Sequence, residues 1–244
     1  MVFGLFSKER ALEKTVAKAT NKLAQQVDRW GALEKLKEDG TEEALLGLCK
    51  RFGITSMKGV EDEQEKTWVV DTLVAVGPAA LAPLRRYMKN AEQLAFPLRV
   101  LERIADKQKA LVVVDELFES EKPGYVRMPE RRIDLIRWLS DWKAATDDDV
   151  IPRLTPYVTD FDENSRFAAI DGIANRDPAR IAAPLIAAVI RPEEESWRIK
   201  RQILEVLAKT GAPLGDQAAA VAGAIAGPIE NDFKVEGGKV IQRR

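Results

Sequence analysis

Six times along the chain two apolar residues stand three apart within a helical pattern. They are Leu33 and Leu36, Leu73 and Val76, Leu101 and Ile104, Ile136 and Leu139, Ile170 and Ile173, and Leu204 and Leu207. The second members follow one another at intervals of 40, 28, 35, 34 and 34 residues. A near-period of this length is the mark of one supersecondary unit used repeatedly. A single helical hairpin would leave one apolar face wet, and stacking on a neighbour closes it. The spacing therefore predicts an all-α chain, a right-handed α-solenoid of about six helical hairpins.

Each pair is followed by a second apolar helix. These begin at Glu42 (EEALLGLCKRF), Pro78 (PAALAPLRRYM), Lys109 (KALVVVDELF), Asp149 (DVIPRLTPYV), Pro178 (PARIAAPLIAAVI) and Gly215 (GDQAAAVAGAIAG). The clearest hairpin lies at residues 165–192, where NRDP joins the two patterns. Asp177 can accept from exposed backbone amides there, and Pro178 supplies a helical φ without needing an amide partner. In the helix that follows, Ile181, Leu185 and Ala188 recur at helical spacing, with Val189 and Ile190 widening the stripe. Pro83, Pro152 and Pro184 each stand in an early or bent part of the second helix, which suggests a shared bend.

These residues resemble the HEAT-repeat family, in particular its short bacterial PBS-lyase-type form. The match rests on Asp177-Pro178, on Pro184-Leu185-Ile186, and on Arg166 with Ala168 and Ala169. Residues 65–84 carry another match, with Gly77 ending one helix and Pro78 opening the next. The resemblance spans residues 26–227, and three units carry it most clearly. It implies a curved helical surface presented to another macromolecule. Residues 1–25 are then an N-terminal capping helix or docking segment, and residues 228–244 a tail or short β-hairpin turning at Gly237-Gly238. The third unit departs from the pattern, because Pro97 precedes its Leu101 and Ile104 pair. Inserts at residues 53–65 and 119–131 interrupt the spacing and either cover repeat ends or form recognition loops.

Chemistry is constrained by what the side chains can do. The 244 residues contain no histidine, so a Ser-His-Asp or Cys-His mechanism cannot be assembled from this chain alone. The 38 basic and 39 acidic residues leave a net charge of -1, which gives no global field for nucleic acid. Cys49, the single cysteine, reads as a small packed residue, and a reducing, cytoplasmic setting is expected. The carboxylate runs at residues 61–65 and 147–149 lack the alternation of a calcium loop and read as solvated turns or helix starts. No cofactor and no metal site is expected. Phe3 and Phe6 near the start could touch a membrane or a partner, although packing on the first repeat is preferred. No later run reads as an uninterrupted membrane-length segment, so no integral span is expected.

The helix at residues 131–143 is the strongest surface candidate. Ile133, Ile136 and Leu139 mark its buried stripe, which leaves Arg137, Trp138, Asp141 and Trp142 partly displaced as a partner-binding patch; the alternative is that one or both tryptophans fill the wider space left by the irregular neighbouring unit. Aromatic side chains beside arginine bury large areas while keeping polar reach. Trp68 and Trp197 are read as packing residues. Arg176, Arg191, Arg198, Lys200 and Arg201 stand among Glu193, Glu194 and Glu195, which favours local ion pairing over phosphate recognition. The expected function is that of a non-enzymatic scaffold or adaptor binding a partner protein. The alternative implied by the resemblance is a HEAT-like enzyme or nucleic-acid-binding protein, similar to the bilin lyases or the DNA-alkylation repair glycosylases.

Overall fold

The computed structural model describes residues 2–243, with side chains from residue 8 onward. The Phe3 and Phe6 side chains, the expected N-terminal docking contact, therefore lie outside the described residues. Helices make up nearly all of the regular structure, and two compact units divide the chain at Ser120 and Glu121.

The first unit holds α1 (Val2–Ala19), α2 (Gln26–Asp39), α3 (Glu42–Lys50), α4 (Gly59–Val76), α5 (Leu81–Met88), α6 (Ala95–Ile104) and α7 (Lys107–Ser120). Local chemistry sets several of these ends. Thr41 accepts from the Ala44 amide at 3.3 Å to start α3, and Gly40 ends α2 with a φ of 62°. Helix α2 packs on α4 and α4 on α6, while α3 packs on α5 and α1 covers α2 and α3. Leu33, Leu36, Leu73, Leu84, Leu98 and Leu101 are buried along these contacts.

The second unit holds α8 (Glu130–Asp141), α9 (Asp147–Leu154), α10 (Glu163–Ile173), α11 (Pro178–Ile190), α12 (Trp197–Thr210) and α13 (Ala218–Ala224), then β1 (Phe233–Glu236) and β2 (Lys239–Gln242). Asp177 accepts from the Ala179 amide at 3.0 Å, with Pro178 as the first helical residue, as its sequence predicts. Helix α8 packs on α10 and α10 on α12, and α11 lies against the 3-10 turn after α9 and against α13. The hairpin pairs Phe233 with Gln242 and turns through Gly237 and Gly238, whose φ values of 59° and 72° suit glycine alone at no cost. Phe233 and Val240 are fully buried, β2 packs on α12, and the Gly238 carbonyl accepts from the Leu214 amide at 2.9 Å. The hairpin thus covers apolar surface that the last helices would otherwise expose.

Val76 is 38% exposed, because α4 ends there, Gly77 (φ 73°) redirects the chain, and Ala80 and Leu84 fill the core instead. The helical run Gly59–Met88 is long and apolar enough, by length and composition alone, to cross a membrane. Its ladder is interrupted at Gly77, and Leu73, Leu84 and Met88 are fully buried within the unit. The other pair members are buried, Leu139, Ile173 and Leu207 completely. Leu207→Ala is expected to cost about 2 to 5 kcal/mol in urea denaturation, through lost transfer energy and the cavity left behind. Val76→Ala, at an exposed helix end, is expected to stay within about 0.5 kcal/mol.

Candidate functional site

In each unit an insert that breaks the repeat spacing is fastened by a buried arginine. The carboxylates at residues 61–65 of the first unit were read as a solvated turn or helix start; α4 does start there, at Gly59, but it turns Asp62 and Glu65 inward, so both are buried. Arg51, just past α3, donates from Nε to Glu65 at 2.7 Å, from Nη2 to Asp62 at 2.7 Å, and from Nη1 to the Ile54 carbonyl at 2.7 Å. Arg29 of α2 grips the same Glu65 carboxylate at 2.8 Å and donates to the Ala24 carbonyl. Lys66 closes the cluster on Asp62 at 2.7 Å. Burial works to raise the Asp62 carboxyl, but hydrogen bonds from Lys66, Arg51 and the Ser56 amide outweigh it and hold the pKa down at about 2.

The second unit repeats the device on the loop before α8. Arg132 is fully buried, and its guanidinium donates to the carbonyls of Glu121 at 3.0 Å, Lys122 at 2.6 Å and Gly124 at 2.9 Å. The same group meets Asp160 at 2.7 Å, and Asp160 accepts in turn from the amides of Gly124 and Asp162. Arg166 holds the carbonyls of Asp160 and Phe161 at 2.8 and 3.1 Å, and is itself paired with the buried Glu194 at 2.8 Å. The Tyr157 hydroxyl donates to the Glu121 carbonyl at 3.0 Å. With its own carbonyls as acceptors, this loop has little freedom left.

The residues that these fastened loops present are apolar and exposed. Tyr125 is 75% exposed, Met128 59% and Phe161 69%. The Tyr125 and Phe161 rings meet edge to face at 5.5 Å, so the two loops share one aromatic surface. In the first unit Met57 and Val60 are likewise exposed, and Val60 lines a groove of about 700 Å³ whose walls include Trp30 and Trp68. Those two rings are half-buried and 5.5 Å apart.

The expected patch on α8 is only partly at the surface. Arg137 and Asp141 are exposed and Trp138 is half-buried, but Trp142 is only 9% exposed and stacks on Trp138 at 4.8 Å. The helix ends at Asp141, and the chain then turns Trp142 inward. Trp197, read as a packing residue, is 40% exposed and lies over Gly227. Four basic residues of α12 and its neighbours are ion-paired, Arg198 with Glu163, Arg201 with Asp232, Arg176 with Asp147, and Arg191 with Glu193, while Lys200 lies over the Trp197 ring at 5.0 Å. Cys49 is buried, and burial pushes its thiol up to about 12, far from a reactive thiolate. Among the described residues no group of three metal-ligating side chains is assembled.

No protein-family model matches this chain, and no curated protein or solved structure matches it.

The exposed trio was missed because its residues lack any helical period. The insert lengths were the only signal. Two outcomes follow from the clusters. Arg132→Met leaves Asp160 buried without its cation and is expected to cost about 3 to 5 kcal/mol, with faster tryptic cleavage after Arg127 as the loop loosens. Asp62 has a depressed pKa, so its stabilising contribution is complete above the ordinary carboxylate value of 3.8 and is lost as pH falls towards about 2. The stability gap between the native chain and Asp62→Asn should therefore be level near neutral pH and narrow through that acid range, as followed by denaturation at stepped pH.

Proposed function

We propose that this chain is a non-enzymatic, cytoplasmic protein-interaction scaffold whose partner docks on the surface formed by Tyr125, Met128 and Phe161. The observation that carries the reading is the exposure of these three large side chains on loops that Arg132 and Arg166 hold rigid. Exposed apolar groups clustered in this way mark interaction surfaces. Anchors on a loop that is already ordered lose little further entropy on binding, and aromatic anchors dominate interface energetics.

The scaffold itself we read as a right-handed α-solenoid of HEAT-like hairpins. In support, alternate helices form rows inside each unit: α2, α4 and α6 beside α3 and α5, then α8, α10 and α12 beside α11 and α13. The unit-by-unit stacking of alternating helices is how such arrays build extended surfaces without enclosing a reaction pocket.

A benzophenone side chain placed at position 125 of the full chain tests the docking surface in the producing cell, with position 137 on α8 as the comparison. Discrete protein adducts from position 125, lost with Phe161→Ala and absent from position 137, are expected. Adducts formed equally well from position 137, or none from 125 in a well-folded chain, would move the site elsewhere.

A further inference from the structure

We infer that the first unit carries a second docking surface, a basic groove beside Val27 whose occupant is a short acidic peptide. Val27, in the first turn of α2, lines two adjoining grooves of about 540 and 260 Å³. The larger lies between the link from α1 to α2 and the segment that leads into α4, and the exposed Leu23 and Met57 stand on its walls. The smaller runs between α1 and α2, past Lys14, Lys18 and Lys35. Charge decides what fits. Each carboxylate lining the grooves is committed, Asp28 to Lys18 at 2.8 Å and Glu61 to Lys58 at 2.9 Å. Arg29, which also lines the larger groove, is committed to Glu65 at 2.8 Å. Lys14, Lys22 and Lys35 line the grooves as well, are exposed, and have no partner for their ammonium groups among the described residues. Glu13, Glu34 and Glu38 are exposed elsewhere on α1 and α2 and line neither groove.

The grooves therefore hold three unanswered positive charges beside exposed apolar side chains. A chain with carboxylates next to its own aliphatic or aromatic residues complements both, its acids on the lysines and its apolar groups on Leu23, Val27 and Met57. Methionine suits such a wall because its flexible thioether adapts to what it meets. Gln25 and Gln26 line the larger groove too, and a carboxamide offers both a donor and an acceptor to a peptide backbone. Grooves of this size bury a ligand no larger than a few residues of chain. Single-stranded nucleic acid fits less well, since among the described residues no aromatic ring lines either groove for a base to stack on. A bilayer is flat and would leave both grooves unfilled.

Random peptides displayed on phage, selected on the full chain and counter-selected on a Lys14→Glu, Lys22→Glu, Lys35→Glu triple variant of native helicity, test this directly. The expected winners carry aspartate or glutamate around aliphatic or aromatic residues. Synthetic copies should bind the triple variant about tenfold or more weakly, and should lose affinity with added salt and with Leu23→Ser, Met57→Ser. They should be unaffected by Tyr125→Ala, Phe161→Ala, which separates this groove from the surface of the second unit. Winners that are neutral or basic, or a selection that enriches nothing over the triple variant, would overturn the acidic assignment. Winners lost with Tyr125→Ala, Phe161→Ala but indifferent to Leu23→Ser, Met57→Ser would overturn the groove as their docking site. Sedimentation of the full chain with phosphatidylserine vesicles at physiological salt, abolished in the triple variant, would reassign the lysines to a membrane and likewise overturn the proposal.

Discussion

The interaction on which both units depend is the buried arginine held by carboxylates and by backbone carbonyls together. An isolated guanidinium in an apolar core is costly, and the cost is met only when nearly every donor finds an acceptor. Arg132 meets that condition with three loop carbonyls and the Asp160 carboxylate. Arg51 and Arg29 meet it with Glu65, Asp62 and the carbonyls of Ile54 and Ala24. Each cluster is therefore strong only as a whole, and each joins helices to an irregular segment that would otherwise be loosely tied.

That coupling links stability to the proposed docking role. Backbone carbonyls in a loop normally turn to water, and a loop satisfied in that way samples many shapes. Here the carbonyls of Glu121, Lys122 and Gly124 converge on one guanidinium, so the loop has a single preferred path. Tyr125 and Met128 are displayed from that path, and Phe161 from the segment gripped by Arg166. The packed helices contribute the rigidity, and the inserts contribute the side chains that reach solvent.

The helical part of this design was plain in the sequence. Apolar pairs at i and i+3, Asp177 before Pro178, and the adjacent glycines at 237 and 238 each act through local geometry, which the backbone obeys wherever it lies. The site was far less legible. Residues 61–65 look like a solvated helix start because carboxylates in a first turn suit the helix dipole even when exposed. Nothing in their own spacing reveals that Arg51 and Arg29 wait opposite them. Trp142 was half legible for a related reason: helical spacing placed it beside Trp138, on which it does stack, but α8 stops one residue earlier and the chain folds it inward instead of leaving it at the surface.

By itself the sequence determined the all-helical class, the positions of most helices and the burial of their repeated apolar stripe, since period and caps are local properties of the chain. Tertiary structure alone decided which charges are buried and which apolar residues stay in water. Those outcomes depend on partners 11 to 36 residues away, as between Arg51 and Asp62, Arg132 and Asp160, or Arg29 and Glu65, and on where each carbonyl points once the loop has closed. Long-range pairing of this kind leaves no periodic trace in a single sequence, because one arginine and one carboxylate suffice wherever the fold brings them together.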